Sequence, residues 1–311
     1  MTPVLRLGLP LVGGQLPRAA RTLGAQVLVS ANAMARYDSE KCFRGFRHNC
    51  PDFDGVDVAL DSAGFVAWAH YGDYPWTVEQ YVGLAAARPW AWWAQMDACC
   101  EPEIARSRDA VRLRQAETIR LLFECQRAAT RSGIAAPMPV LQGWRVSDYV
   151  WHATQLDLSN ETMVGVGSMC RRGVHGPDGL VAVVDSLDRV LPNNVTLHLF
   201  GVKSDGLASL SRHPRVASVD SMAWDVEART VGRKAGSVTM EVRTAAMRRW
   251  YEAQVLRMAR AGGVPGVLSL FGGEDDGVSE SGASWAKLVA DGEIEAMAAS
   301  MYLAREMGCE L

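Results

Sequence analysis

Apolar runs recur along this chain, and each is followed by a cluster of polar residues and glycines and then by a stretch with helical spacing. The runs cover residues 26–33, 56–65, 90–100, 138–144, 163–170, 195–205, 216–224 and 266–273. Most of them are almost continuously apolar, which is typical of parallel strands covered on both faces. Repeated strand–helix alternation therefore predicts an α/β fold with a parallel sheet.

The number of units favours one architecture. Seven or eight strand–helix units predict a (β/α)8 TIM-like barrel with a C-terminal helical extension. The prediction is a single catalytic domain over residues 1–311, with the barrel at about 20–275 and C-terminal helices at about 239–307. A doubly wound sheet remains the alternative, but neither a GxGxxG dinucleotide motif nor a P-loop lysine motif supports it.

The remaining segments divide into helices and loops. Helices are predicted at 77–87, 103–130, 147–156, 179–190, 239–261 and 284–307, with Ser147 as a cap. Residues 34–55 and 225–238 are predicted to be loops, the first lying over the site. The apolar pieces of the N-terminal residues are interrupted by Arg6, Pro10 and Gly13, so no signal peptide is predicted there.

Composition excludes several classes of protein. No apolar run approaches the ~20 residues of a membrane span. Seven cysteines in 311 residues do not form a disulfide scaffold, so a reducing, cytoplasmic setting is expected. A net charge of −3 excludes a surface that is basic overall, so any nucleic-acid contact must be a local patch. Residues 229–260 are rich in arginine and form one candidate patch, although a solvated helix face explains them equally well.

Polar or closely approachable residues stand at six consecutive predicted strand ends. They are Asp61, Phe65, Asp97, Gln142, Gly143, Gly165, Val166, Gly167, Ser168, Phe200, Gly201 and Asp220. A single aspartate in such a place is more often a helix cap. The C-terminal ends of barrel strands meet at one face, however, so the whole set predicts a ligand site. The residues alone leave open a glycosidase or nucleoside hydrolase that uses water, or a non-catalytic nucleic-acid-binding barrel.

Six short motifs in this set carry a resemblance to a known family. "LDSAGF", "QMDACCEP", "VLQGW", "VGVGS", "LFGV" and "SVDSMAW" occur in order between residues 56 and 225. Their order and spacing resemble those of the tRNA-guanine transglycosylase superfamily. "DSMAW" is more similar to the deazapurine DNA-modification branch of phages and bacteria than to the tRNA enzymes.

The resemblance implies exchange of guanine in a nucleic acid for a 7-deazaguanine such as 7-cyano-7-deazaguanine. It implies that Asp220 is the nucleophile and Asp61 the general acid/base. The implied base-binding residues are Phe65, Asp97, Gln142, Gly143, Gly165, Val166, Gly167, Ser168, Phe200 and Gly201. Among these, Asp97 and Gln142 read the base edge, and the two phenylalanines sandwich the ring. The polymer is DNA by preference, with tRNA as the alternative.

The residue types suit this chemistry. Breaking an N-glycosidic bond builds positive charge at C1′, which a carboxylate stabilises or captures. The leaving base needs a proton, which a carboxylic acid of raised pKa supplies. Asp220, rather than Asp225 five residues later, is the expected nucleophile. Trp224 has no assigned role and either packs the following segment or lies near the sugar. Trp90, Trp92 and Trp93 are expected in the core rather than as a base platform.

The chain also departs from the family. The family zinc motif is absent, because no cysteine follows Asp220 before Cys309, and no metal or cofactor is expected. Cys42 and Cys50, with His48 and His70, leave a different zinc site open. Ala63 replaces a glycine in the DSGG motif, which adds a methyl group beside the base.

The expected partners are a nucleic acid and a deazaguanine base. Predicted phosphate contacts are Arg171, Arg172, Lys203, Arg229, Arg233 and Lys234. A homodimer is a further expectation, and the expected location is the cytoplasm of a bacterium or of a phage-infected host.

Overall fold

The computed structural model describes residues 2–40, 42–234 and 238–262. The strands are β1 Val4–Leu9, β2 Gln26–Ser30, β3 Ala35–Tyr37, β4 Phe43–Phe46, β5 Val58–Asp61, β6 Val140–Leu141, β7 Met163–Val166, β8 Thr196–Leu199 and β9 Val216–Ser221. The helices are α1 Gln15–Thr22, α2 Ala31–Met34, α3 Gly64–Val66, α4 Val78–Ala86, α5 Pro102–Ala105, α6 Arg108–Ser132, α7 Val146–Thr154, α8 Leu180–Asp188, α9 Ser204–Leu210, α10 Ala223–Lys234 and α11 Met240–Gly262. A 3₁₀ turn at Pro51–Phe53 and a π-helix at Ala67–Tyr71 complete the set.

Seven strands form a curled, all-parallel sheet in the order β5-β2-β1-β9-β8-β7-β6. The predicted α/β class and parallel sheet are confirmed. Apolar side chains of the strands and of the covering helices form one large buried cluster. Since parallel strands present their carboxyl ends at one edge, the polar strand ends of the sequence lie on the same side of the sheet.

Strand β1 is not among the predicted strands, and its apolar run contains Arg6. In the structure Arg6 is buried, and its guanidinium donates to the Val27 carbonyl (3.3 Å) and to Asp57 (2.9 Å). The same guanidinium lies over the Trp92 ring, 5.3 Å from its centroid. These partners compensate the buried charge, so an arginine is tolerated in a central strand.

The strand predicted at 90–100 is replaced by two isolated parallel bridges, Leu60↔Trp93 and Ala94↔Met138. They connect this segment to β5 on one side and to the residue before Pro139 and β6 on the other. Beyond Ala94 a side chain replaces a backbone partner in the hydrogen bonds to β6. The Oε1 of Gln95 accepts from the Val140 N–H at 3.0 Å. The ladder therefore ends after a few residues. The predicted strand at 266–273 lies outside the described residues.

Most predicted helices are confirmed within two residues of their ends. The helix at 103–130 is divided into α5 and α6, since Ser107 caps α6 by accepting from the Ala110 N–H at 3.3 Å. The predicted cap Ser147 is wrong. The N-cap position is Arg145, and Asp148 in the first turn accepts from the backbone N–H of Arg145 at 2.8 Å. The helix predicted at 284–307 lies outside the described residues.

Both predicted loops contain regular structure. Residues 34–55 include the antiparallel pair β3–β4. Its aromatic residues pack against the chain after β5, with Tyr37 stacked on Tyr71 at 5.9 Å and Phe46 against Trp76 at 5.1 Å. Most of residues 225–238 belongs to α10. Within the described residues, no helix is both long enough and apolar enough to cross a membrane.

Candidate active site

A cavity of about 170 Å³ opens at the carboxyl ends of the sheet strands. The structure brings most of the predicted site residues to its wall. These are Asp61, Phe65, Asp97, Gln142, Gly167, Ser168, Phe200, Gly201, Lys203 and Asp220. The unpredicted first strand also contributes Gly8 and Leu9. Of the predicted base-binding residues, Gly143, Gly165 and Val166 do not line the cavity.

Asp61 ends β5 and faces the cavity. Its Oδ2 accepts a hydrogen bond from the Ala63 N–H at 3.0 Å. Burial, together with the negative charges of Asp97 and Asp220, raises the pKa of this carboxyl to about 7, against the Ala63 hydrogen bond. Asp61 therefore exists in both protonation states near neutral pH, which suits a group that gives and takes protons.

Asp97 is buried and forms a closed network with its neighbours. Its Oδ1 accepts from the Ser62 hydroxyl at 2.8 Å, and its Oδ2 accepts from the amide nitrogen of Gln142. The Tyr74 hydroxyl donates to the Asp97 carbonyl at 3.0 Å. Gln142 in turn accepts from the Ser168 hydroxyl at 2.8 Å. The two residues predicted to read the base edge are thus held by each other, with a fixed orientation toward the cavity.

Small residues make room for this network. A Cβ at Gly64 would lie 2.8 Å from the Asp97 carbonyl oxygen, and one at Gly167 would overlap the Gln142 amide, 2.7 Å from its Cδ. Ala63 adopts φ 68°, a left-handed conformation that favours glycine. Ala63 is part of the cavity wall.

Asp220 lies near the end of β9 and is buried, with its carboxyl in the cavity wall. Its Oδ1 accepts from the Gly201 N–H at 2.9 Å. His198 Nε2 lies 3.4 Å from the same oxygen, and His198 Nδ1 is hydrogen-bonded to the Ser218 hydroxyl at 2.8 Å. Burial lowers the pKa of His198, against the attraction of Asp220. A neutral His198 thus supports Asp220 without neutralising its charge.

Sequence reasoning missed His198. The signal was available, because alternation along β8 places His198 on the same face as Phe200, a predicted base contact. The two rings pack edge to face at 4.6 Å, and Trp92 packs against His198 at 4.6 Å. Gly165 lies behind Phe200, and a Cβ there would meet the ring at 2.7 Å. Gly165 therefore positions the phenylalanine without lining the cavity.

Glu101 is the second residue that sequence reasoning missed. It lies in the cavity wall and is 5% exposed. Burial raises its pKa to about 7, against the charges of Arg171 and Arg172. Its position in the sequence was the available signal. Glu101 belongs to the motif "QMDACCEP", four residues after Asp97, and directly precedes a helix with proline in its first turn.

The predicted phosphate-binding cations fall into different environments. Arg171 forms an ion pair with Glu103 at 2.8 Å, and Arg229 pairs with Asp225 at 2.8 Å. Arg172 is buried and donates to the carbonyls of Trp144 (2.5 Å) and Asp178. This placement argues against a phosphate contact by Arg172, because its donors are used inside the protein.

The other predicted cations lie closer to solvent or to the cavity. Lys203 lines the cavity, and Arg233 is exposed on α10. The side chain of Lys234 lies outside the described residues. The structure therefore brings Lys203, among these cations, to the cavity wall.

Trp224 packs inside the protein rather than beside a sugar. It is fully buried in the first turn of α10, and its indole N–H donates to the Gly8 carbonyl at 3.1 Å. Of the three tryptophans expected in the core, Trp93 is buried and its indole N–H donates to the Ala135 carbonyl at 3.0 Å, whereas Trp90 and Trp92 are half-buried and pack against the core.

The cysteines in the described residues are free thiols. Cys42 is exposed and Cys50 is buried. No group of three or more histidine, cysteine or acidic side chains within the described part of the chain is arranged to hold a metal ion.

Comparison with known proteins identifies the family. A search of curated proteins finds no match to this chain. The sequence model of the DpdA family, described as DeoxyPurine in DNA protein A, matches residues 11–270. This match confirms the resemblance inferred from the strand-end motifs. The chain belongs to the DpdA family, the deazapurine DNA-modification branch of the tRNA-guanine transglycosylase superfamily.

Proposed function

We propose that this protein exchanges guanine in DNA for a 7-deazaguanine, such as 7-cyano-7-deazaguanine, through a covalent intermediate on Asp220. The observation that carries the proposal is the pair of carboxyl groups in one cavity, Asp61 with a pKa of about 7 and Asp220 opposite His198. We also propose that the sheet closes as a (β/α)8 barrel, with residues 91–95 in the place of a strand. The two isolated bridges support that closure.

The first half of the reaction removes guanine. Asp220 attacks C1′ of the deoxyribose from the face opposite the base, and the C1′–N9 bond breaks. Protonated Asp61 gives its proton to the departing guanine, so the base leaves as a neutral molecule. The hydrogen bond from the Gly201 N–H to Asp220 holds the nucleophile in place, and neutral His198 leaves its negative charge intact.

The second half installs the new base. Ionised Asp61 takes the proton from N9 of the incoming deazaguanine, and N9 displaces Asp220 from C1′. One carboxyl thus serves as acid and then as base, and the proton balance is restored in each cycle. A pKa of about 7 keeps both of its states accessible.

The base is held by its edge and its faces. Asp97 accepts from N1–H and the 2-amino group, and Gln142 bonds O6. Phe65 and Phe200 border the same cavity and supply the stacking surfaces, worth about 1–3 kcal/mol per base. A cavity at the strand ends requires the target nucleotide to leave the DNA stack. Lys203 at the cavity wall and Arg233 on α10 are the proposed phosphate contacts.

The test is incorporation of a labelled base. Purified protein is incubated with DNA or with tRNA and with labelled guanine or labelled 7-cyano-7-deazaguanine. We expect label in DNA and a covalent protein–DNA adduct that Asp220→Asn does not form.

Three results would contradict the proposal. Label in tRNA alone would assign the other polymer. Release of guanine at the same rate without an acceptor base would assign a glycosidase that uses water. Binding of DNA without release, exchange or adduct would assign a non-catalytic protein.

A further inference from the structure

Glu101 has a carboxyl oxygen that the protein itself does not satisfy. The side chain is 5% exposed and lies in the cavity wall. Its Oε2 has no hydrogen-bond partner among the described residues, whereas its Oε1 accepts from the Cys170 thiol at 3.9 Å and the Ser168 hydroxyl lies beside the carboxyl group. A buried polar atom without a partner is unfavourable by about 1–3 kcal/mol, so such atoms are rare unless a ligand completes them. The open oxygen therefore points to a contact with the occupant of the cavity.

The surroundings of Glu101 indicate which chemistry fits. The charged and titratable groups around it are Arg171, Arg172 and Glu103, the thiols of Cys99, Cys100 and Cys170, and the Tyr149 phenol. Burial raises the pKa of Glu101 to about 7, so its neutral form, with an O–H donor, is present at neutral pH. The two arginines disfavour a cationic ligand group and favour the negative end of a dipole.

The position of Glu101 relative to the network indicates which part of a base it meets. Asp97 and Gln142 face the edge that carries the 2-amino group and O6, under the proposed function. The Ser168 hydroxyl donates to Gln142 and also lowers the pKa of Glu101, so Ser168 lies between the two side chains. On a purine ring, the substituent at position 7 lies next to O6. A base held by Asp97 and Gln142 directs that substituent past Ser168 toward Glu101.

We propose that Glu101, as a neutral acid, donates a hydrogen bond from Oε2 to a nitrile group at position 7 of the incoming base. This inference rests on the proposed function and adds the residue that selects the base. An aminomethyl group is disfavoured in the same place, because Arg171 and Arg172 repel an ammonium ion. Unsubstituted 7-deazaguanine leaves Oε2 without a partner.

The experiment measures dissociation constants of the free bases by calorimetry, using the full-length protein without DNA. The probes are 7-cyano-7-deazaguanine, 7-aminomethyl-7-deazaguanine and 7-deazaguanine, at pH 6 and pH 8.5. The wild type is expected to prefer the cyano base over 7-deazaguanine by about tenfold at pH 6, equivalent to about 1.4 kcal/mol. That preference falls at pH 8.5, because ionised Glu101 has lost its donor.

Three variants make the result specific. Glu101→Leu should abolish the tenfold preference at both pH values. Glu101→Gln keeps a neutral N–H donor and should retain the preference at both pH values, which a purely structural role would not produce. Glu79→Leu, an exposed glutamate on α4 that is not among the charged groups around Glu101, is the control and should keep the wild-type preference and its pH dependence.

Two outcomes would overturn the inference. One is an unchanged preference in Glu101→Leu, and the other is tighter binding of the aminomethyl base than of the cyano base by the wild type. The proposed function is tested separately by exchange of labelled guanine into DNA, a substrate without a 7-substituent. Lack of guanine exchange with an intact base preference refutes base exchange alone, and exchange without the preference refutes the role of Glu101 alone.

Discussion

Asp220 and Asp225 are two buried aspartates, five residues apart, with opposite surroundings. Asp220 opens on the cavity, accepts from a backbone N–H and faces a neutral histidine. Asp225 lies in α10 between two arginines, with Arg229 at 2.8 Å and Arg243 at 2.7 Å. The first carboxylate is available to a ligand, whereas the second joins α10 to α11.

The difference teaches that burial of a carboxyl does not by itself indicate function. Both side chains are less than one-tenth exposed. The two aspartates differ in their partners. Asp225 forms ion pairs inside the protein, whereas a carboxylate oxygen of Asp220 remains accessible to a substrate. Variants that exchange or weaken these partners test the comparison.

The largest expected effect is loss of catalysis in Asp220→Asn. The amide keeps an oxygen to accept from Gly201 but is not a nucleophile, so we expect kcat to fall by at least about 10³-fold. Base exchange on DNA is measured together with the urea midpoint, which should stay near the wild-type value. Activity within tenfold of the wild type would contradict a nucleophilic role.

Asp225→Asn should unfold more easily and still catalyse. It leaves Arg229 and Arg243 buried without a counter-charge, which lowers the free energy of unfolding by about 3 kcal/mol. Urea denaturation measures this, with the exposed neighbour Glu227→Gln as control. Activity per folded molecule should remain within about threefold. If folded Asp225→Asn lost as much activity as Asp220→Asn, both aspartates would be required for catalysis and the comparison would fail.

Asp61→Asn removes the carboxyl group that we propose as the general acid and base. We expect kcat to fall by about 10²-fold. In the wild type, release of guanine should slow as pH rises through 7, because the proton donor is lost. In Asp61→Asn that pH dependence should disappear. A slope that persists in the variant would assign the titration to another group.

Asp61 also makes the stability of the folded protein depend on pH. Its pKa is raised in the folded protein, so its contribution to stability is complete at acid pH and is lost as pH rises toward 7 and above. Asp61→Asn should therefore raise the free energy of unfolding at pH 8 by about 1–2 kcal/mol, and the melting temperature should rise with it. Melting curves at pH 5 and pH 8 check the sign.

His198 tests whether Asp220 depends on its supporting contact. His198→Phe keeps packing against Phe200 and loses the nitrogen facing Asp220, so we expect a roughly tenfold lower kcat with little change in KM. His198→Gln restores an N–H donor and should recover part of the rate. Equal losses in both variants would indicate packing rather than positioning.

Ala63→Gly has the smallest expected effect. It relieves a left-handed alanine, worth about 1–2 kcal/mol, against a glycine entropy loss of about 0.4–1 kcal/mol. The net gain in stability should be about 0.5 kcal/mol by urea denaturation. Ala67→Gly, at an ordinary helical φ, should have the opposite sign.

The apolar runs and their spacing predicted the parallel sheet, and most helices, because burial on both faces and helical periodicity are local properties. They did not predict β1, where a buried Arg6 is compensated by Asp57 and Trp92 from distant parts of the chain. The segment at 90–100 was predicted as a strand since its composition is apolar. The side chain of Gln95 ends its ladder, and composition does not show that.

By itself, the sequence determined the fold class, the family and the set of strand-end residues, because those follow from periodicity and from short motifs. Only the tertiary structure distinguished residues of the same type. It placed Asp220 in the cavity and Asp225 between arginines, and it buried Trp224 against Gly8. It also brought His198 and Glu101 into the site. The physical reason is that desolvation and hydrogen-bond partners depend on groups far apart in the chain, which sequence spacing alone does not specify.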